Sequence, residues 1–335
     1  MTEARDHYLF AYFTSQNEPD GEQVRFGRSR GTDPLFWEPL ADGTPFVRSD
    51  VGTTGARDPF LVRAAGLPGE QAAFYMIATD LRVAGHDDEG FWDEQQRHGS
   101  RSILVWESND LVSWSPARLV EVAPSDAGNA WAPEAVFDEL TQRYFVFWAS
   151  ALYPSGSDRG TLEYNRMLCA STADFREFTP AEVWLDAGRS VIDATVVRSG
   201  GEFFRFVKDE RTPDSSTPAS RYITLGRSLE LRSTSWELVA DGLGGPPEDS
   251  PDAPALAHGE GPIAVYSALA DRWYLFIDEF GLRRYVPFES TSIDSARWTM
   301  CRDFELPAGA SHGSILPITR DEWLRFGPEV PRLAP

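Results

Sequence analysis

Asp110-Leu111-Val112-Ser113-Trp114 couples an Asp-Leu step to a Trp that closes a strand, and the same phrase returns along the chain. It stands as Asp33-Pro34-Leu35-Phe36-Trp37 and as Asp174-Phe175-Arg176-Glu177-Phe178, more loosely before Trp236, and again from Ile293-Asp294 to Trp298. With the aromatic as marker the spacings are 77, 64, 58 and 62 residues, and 74 more lead through the C-terminus back to Trp37. A period of this kind marks a repeat architecture. Here it gives five units of similar length.

Within a unit the sequence is strand-like. Phe74-Tyr75-Met76-Ile77-Ala78, Ser102-Ile103-Leu104-Val105-Trp106, Tyr144-Phe145-Val146-Phe147-Trp148, Phe203-Phe204-Arg205-Phe206-Val207 and Trp273-Tyr274-Leu275-Phe276-Ile277 are short, aromatic or β-branched, and bounded by turn residues. No helical periodicity is sustained. The expectation is an all-β chain, residues 1–335 forming one five-bladed β-propeller of radially arranged four-stranded units. Gly313 to Ile318 reads as a lone inner strand, and the N-terminus offers three outer strands around His7–Thr14, Gln23–Ser29 and Trp37–Leu40. Both termini would then share the fifth blade and close the ring. A two-sheet sandwich gives no reason for the five-fold spacing.

The net charge of −21 excludes nucleic acid and anionic membranes as partners, because phosphate recognition needs concentrated Lys and Arg. Cys169 and Cys301 are the only cysteines; they permit one disulfide at most and read as two buried, reduced thiols. Residues 1–15 lack an apolar stretch after a basic start, so the chain as given reads as cytoplasmic.

Inner strands of a propeller begin beside its central channel. The segments expected there are Arg57-Asp58-Pro59-Phe60, Trp131-Ala132-Pro133-Glu134, Val191-Ile192-Asp193-Ala194, His258-Gly259-Glu260-Gly261-Pro262 and Ser311-His312-Gly313. Four carry a carboxylate and the fifth a histidine. Carboxylates at the starts of apolar strands are costly unless water, a cation or chemistry uses them. Several converging on one funnel point to acid–base work.

These motifs, in this order, resemble the family 43 glycoside hydrolases, a group of arabinofuranosidases, arabinanases and xylosidases on five-bladed propellers. The likeness runs from about Tyr8 to Trp323. It implies an inverting glycosidase in which Asp58 is the general base, Asp193 orients the acid and raises its pKa, and Glu260 is the general acid. Arg57, Trp131, Glu134 and His312 would face the sugar, with Trp131 readable as a stacking platform or as blade core. The resemblance also leaves room for a structural Ca²⁺ near His312, with no cofactor required. Ala194 and Ser311 stand where the family often has Pro and Arg. The implied substrate is an oligosaccharide or polysaccharide containing arabinofuranose or xylose. Exo-acting α-L-arabinofuranosidase is preferred over β-D-xylosidase or endo-arabinanase, and a non-catalytic carbohydrate-binding propeller is the more distant alternative. Two stretches read as loops: Arg82–Ser100, with His86, Asp87, Asp88, Trp92 and His98 as a candidate wall of the cleft, and Glu210–Ser220 on the surface.

Overall fold

Strand follows strand from the first described residues, because short aromatic and β-branched runs, many of them buried on both faces, are separated by turns. The computed structural model describes residues 3–327 except 19, 68–71, 87, 212–220, 248–249 and 251. Asp87 and residues 212–220 of the two loops therefore lie outside the described residues. The N-terminal strands are β1 (His7–Phe13), β2 (Arg25–Arg30) and β3 (Asp33–Pro39). Four meanders follow: β4 (Ala56–Arg63), β5 (Phe74–Asp80), β6 (Ser102–Ser108) and β7 (Arg118–Glu121), then β8 (Trp131–Asp138), β9 (Arg143–Ala151), β10 (Asn165–Thr172) and β11 (Glu182–Leu185). The third comprises β12 (Val191–Ser199), β13 (Glu202–Asp209), β14 (Ile223–Ser228) and β15 (Glu237–Leu243). The fourth has β16 (Glu260–Ser267), β17 (Arg272–Glu279), β18 (Arg284–Ser290) and β19 (Thr299–Met300), and the chain returns in β20 (Ser311–Ile318).

Each group forms a four-stranded antiparallel sheet, and β20 pairs with β1 in the order β20-β1-β2-β3. The fold is a five-bladed propeller whose ring is latched by both termini. Inner strands meet their neighbours in ring order: β20 with β4, β4 with β8, β8 with β12, β12 with β16, and β16 with β20. Alternation along the strands divides the core among the blade interfaces. Met76 packs towards Leu9 and Phe26 of the terminal blade, whereas Tyr75 and Ile77 pack towards Tyr144 and Val146. Phe204 and Phe206 likewise meet Leu275 and Ile277 of the next blade.

The recurring phrase is a turn, and it opens the outermost strand of each blade instead of closing one. Asp110 Oδ1 accepts from the backbone N–H of Val112 (2.9 Å) and Ser113 (2.7 Å). Trp37, Trp114, Trp236 and Trp298 each donate the indole N–H to the carbonyl three residues earlier, at 2.7–3.1 Å. The helix α1 (Phe91–His98) inside the Arg82–Ser100 segment corrects the reading of that segment as loop. A helix of little more than two turns is too short to print a period on a sequence. Cys169 and Cys301 are both buried and free.

A short helix α2 (Arg320–Leu324) follows β20, opened by a capping box between Thr319 and Glu322. Glu322 also holds Arg63 of β4 in a two-pronged ion pair of 2.6 and 2.8 Å. This contact ties the last strand to the first internal blade. Glu322→Ala is expected to lower unfolding stability by about 2 kcal/mol, the size of a charge-assisted hydrogen-bond pair, measured by urea unfolding.

Candidate active site

All five inner strands begin with the same irregularity. Arg57 pairs with Thr79 and Phe60 with Ile77; Trp131 with Ala149 and Glu134 with Phe147; Ile192 with Lys208 and Thr195 with Phe206. Glu260 pairs with Asp278 and Ile263 with Phe276, and Ser311 pairs with Phe13 and Ser314 with Ala11. Three steps on the inner strand thus oppose two on its neighbour, which is a β-bulge. The second residue of the bulge is left-handed at Asp58 (φ 52°), Ala132 (48°), Asp193 (53°) and Gly261 (53°). Such a conformation costs a non-glycine residue on the order of 1–2 kcal/mol, and outliers of this kind cluster at functional sites. His312 takes the corresponding place in the fifth strand.

Asp58 and Asp193 therefore share one ring position. Glu260 does not: it precedes the left-handed residue, in register with Arg57, Trp131 and Ile192. Gly261 is required where it stands, since a Cβ there would lie 2.7 Å from the His312 ring. Its amide donates instead to Asp193 Oδ2 (3.1 Å).

Asp58 is oriented by Thr79, whose hydroxyl donates to Oδ2 (2.6 Å) and accepts from the amide of Ala132 (2.7 Å). His312 Nδ1 lies 3.4 Å from Asp58 Oδ1 and 3.7 Å from Asp193 Oδ2. Burial disfavours the imidazolium, but Asp193, Asp58, Glu260 and Asp278 surround it and raise its pKa. Burial pushes Asp193 up to about 7; Glu260 and Asp58 add to the rise, and His312 and Lys208 oppose it. Glu260 is shifted the other way. Its burial is outweighed by the Lys208 ammonium 2.7 Å away, with His312 and Arg57 assisting, and its pKa falls below the ordinary value. The sequence suggested that the negative charge of Asp193 would lift Glu260. Lys208 reverses the sign.

Beneath these groups lies a second buried layer. Asp278 Oδ2 accepts from the His312 amide (3.1 Å), and burial pushes Asp278 up to about 7. The Tyr285 hydroxyl donates to the Gly261 carbonyl (2.8 Å) and accepts from the Gly313 amide (3.0 Å), joining the two bulges.

The carboxylates open into a cavity of 680 Å³ whose walls include Phe13, Trp92, Gln96, Trp131, Phe280 and His312. Trp131 meets Trp92 of α1 edge to face, with centroids 6.2 Å apart. The helix is pinned at Gln96, whose side chain donates to the Glu163 carbonyl (2.5 Å) and accepts from Asn165 Nδ2 (3.1 Å). Arg57 lines the cavity, but its guanidinium is held by Glu22 (2.9 Å) over the Phe13 ring. Glu134 lies below the cavity wall, fully buried, with Oε2 lacking a hydrogen-bond partner and a pKa well above the ordinary range. Among the described residues no group of three His, Cys, Asp or Glu is placed to ligate a metal ion directly. The imidazole lies between Asp58 and Asp193, and these carboxylates favour its charged form.

Reading the sequence for carboxylates missed Lys208, Thr79, Asp278 and Tyr285, which lie on second or third strands. One signal was present. Lys208 is the only lysine of the chain; the other 30 of its 31 basic Lys and Arg residues are arginine.

Residues 3–323 match the sequence model of a family described as a probable glycosyl hydrolase domain, related to glycosyl hydrolase family 43. The chain belongs to this family. It is 31% identical over 236 residues to an alpha-L-arabinofuranosidase of Bifidobacterium longum subsp. longum, a match covering 66% of this chain but only 21% of that protein. The matched region thus spans about a fifth of its relative's length. Among solved structures, an alpha-L-arabinofuranosidase from Fusarium graminearum in complex with an iminosugar inhibitor superposes with a TM-score of 0.55 at 14% identity, covering 92% of this chain and 80% of that one. An alpha-L-arabinanase from Penicillium chrysogenum complexed with arabinobiose gives 0.53 at 13% identity, covering 91% and 79%. At these identities the likeness is one of fold.

Gly261→Ala places a methyl group against His312 in a conformation alanine disfavours. It is expected to cost about 1–3 kcal/mol and to move the His312 ring resonance, checked by thermal unfolding and histidine NMR.

Proposed function

We propose that the chain is an inverting, exo-acting α-L-arabinofuranosidase that releases arabinose from arabino-oligosaccharides or arabinan side chains. The observation that carries the reading is the presence of Asp58 and Glu260 in one cavity, from different positions of the repeated bulge, with α1 against one side. Inversion needs an ionised carboxylate that holds a water on one face of the sugar and a protonated carboxyl at the leaving oxygen. Asp58 suits the first role. Thr79 fixes its orientation by donating to Oδ2, and the His312 ring stands 3.4 Å from Oδ1. Glu260 suits the second: it borders the cavity between two glycines, where a ligand can approach closely. The proton it needs is one that burial favours on Asp193, whose pKa the charge of Glu260 helps to raise.

Trp131 and Trp92 offer aromatic faces to a furanose, while Arg57 and His312 line the same wall. Glu134 would act on the sugar only through the groups above it. The side closed by α1 supports release of a terminal sugar over internal cleavage, and the arabinofuranosidase similarity favours arabinose over xylose.

Asp58→Asn and Glu260→Gln are each expected to lower kcat by about 10²–10⁴-fold on an aryl α-L-arabinofuranoside, the size of a general acid or base contribution, with unchanged unfolding curves. Proton NMR of the first-formed arabinose should show the inverted anomer; the retained anomer, or preference for aryl β-D-xyloside or linear arabinan, would refute the corresponding part of the reading. Trp92→Ala should raise KM about tenfold with a smaller change in kcat, the loss of one stacking face.

A further inference from the structure

Lysine is almost absent from this protein, and its single instance is buried in the active site. Lys208 ends the inner half of β13, where it pairs across the bulge with Ile192 beside Asp193. Its ammonium is 4% exposed and donates to Glu260 Oε2 (2.7 Å), lies 2.6 Å from Glu210 Oε1, and sits 4.5 Å from the centre of the Phe280 ring. Two carboxylates thus share one cation from two sides. Glu260 borders the reacting centre; Glu210 stands farther out, with its side chain 32% exposed. Thirty arginines serve every other cationic need of the chain, ion pairs with Glu22, Glu322 and Asp209 among them. At this one place the cation is a compact ammonium on a flexible stem, which can swing between partners. A planar guanidinium grips one carboxylate in a fixed two-pronged geometry.

We propose that Lys208 is a positioning residue of the acid–base step, its ammonium shared between Glu260 and Glu210 in the empty cleft and passing to Glu210 when Glu260 takes up the proton for the leaving oxygen. This rests on the assignment of Glu260 as the acid. The proton balance is simple. The proton that burial favours on Asp193 passes to Glu260 as Lys208 turns away, and Asp193 becomes the anion. Glu260 then gives that proton to the glycosidic oxygen as the carbon–oxygen bond breaks, the bonding electrons staying with oxygen, while the water at Asp58 bonds to the carbon and leaves its proton on Asp58. The new Glu260 carboxylate recovers Lys208, which remains an ammonium throughout. The other charges facing this pair are Asp193 from β12, Asp278 from β17, His312 from β20, and Arg57 and Asp58 from β4. None of them is positioned to do the same, because among these groups only Lys208 donates a hydrogen bond to Glu260.

The test is the basic limb of the pH profile of kcat/KM on an aryl α-L-arabinofuranoside, which reports loss of the acid's proton in the free enzyme. Removing the cation favours the protonated acid, so Lys208→Met should move that limb to higher pH. Glu210→Gln leaves the ammonium to Glu260 alone, so it should move the limb to lower pH. Each shift should be about one unit or more, the usual effect of a charge at this distance. A purely structural lysine predicts no such opposition. Glu210 is partly exposed, so its variant keeps the test informative even where Lys208→Met fails to fold. Folded variants with the limb unmoved would overturn the role of Lys208. The assignment of Glu260 is checked separately with Glu260→Gln on a dinitrophenyl against a phenyl leaving group. An acid is dispensable for the first and essential for the second, so equal losses on both would overturn the underlying reading instead.

Discussion

The bulge at the start of each inner strand is the constraint on which the rest of the site depends. A regular ladder would alternate side chains between the two flanking blades, and none would face along the channel. Three residues against two break that alternation once, at the same depth in every blade. The backbone bends there, and the residues at the bend turn into the mouth. Four blades accept left-handed φ to do so, three of them at non-glycine residues. The cross-strand hydrogen bonds and blade interfaces around each bend hold that conformation against its cost.

Given the bulges, burial and a few fixed charges set the chemistry. Asp193 and Asp278 lie where water cannot solvate an anion, and both keep their protons to near neutral pH. Glu260 is less buried, its side chain 24% exposed, and the Lys208 ammonium at 2.7 Å holds its pKa below the ordinary value. His312 sits 3.4 Å from Asp58 and 3.7 Å from Asp193, and its neighbours favour its charged form. Protons in this cleft are distributed by the whole cluster, so an acid role for Glu260 requires its surroundings to change when a sugar arrives.

Particular residues show how far the sequence could be read. The Asp-to-Trp phrase was legible because each copy satisfies its own hydrogen bonds within a few residues: Asp110 caps the backbone ahead of it, and Trp114 bonds the carbonyl behind it. Asp58, Asp193, Glu260 and His312 were legible as a set because each begins an apolar strand. Helix α1 was not, since its place is set by contacts of Gln96 with Glu163 and Asn165 in the next blade. Nor was the commitment of Arg57 to Glu22, 35 residues earlier. Lys208 left a trace in the composition, but its partner lies 52 residues away on another blade.

The sequence by itself determined the number of blades, the strand that closes the ring, and the ring positions that carry carboxylates. Those properties are local: turn chemistry, alternation and spacing recur within each unit. Only the tertiary structure decided which carboxylate holds a proton and which holds a lysine, and that Glu134 lies beneath the cavity while Trp92 lies at its edge. Charge and solvation depend on distances across blades, and such distances exist only once the ring has closed.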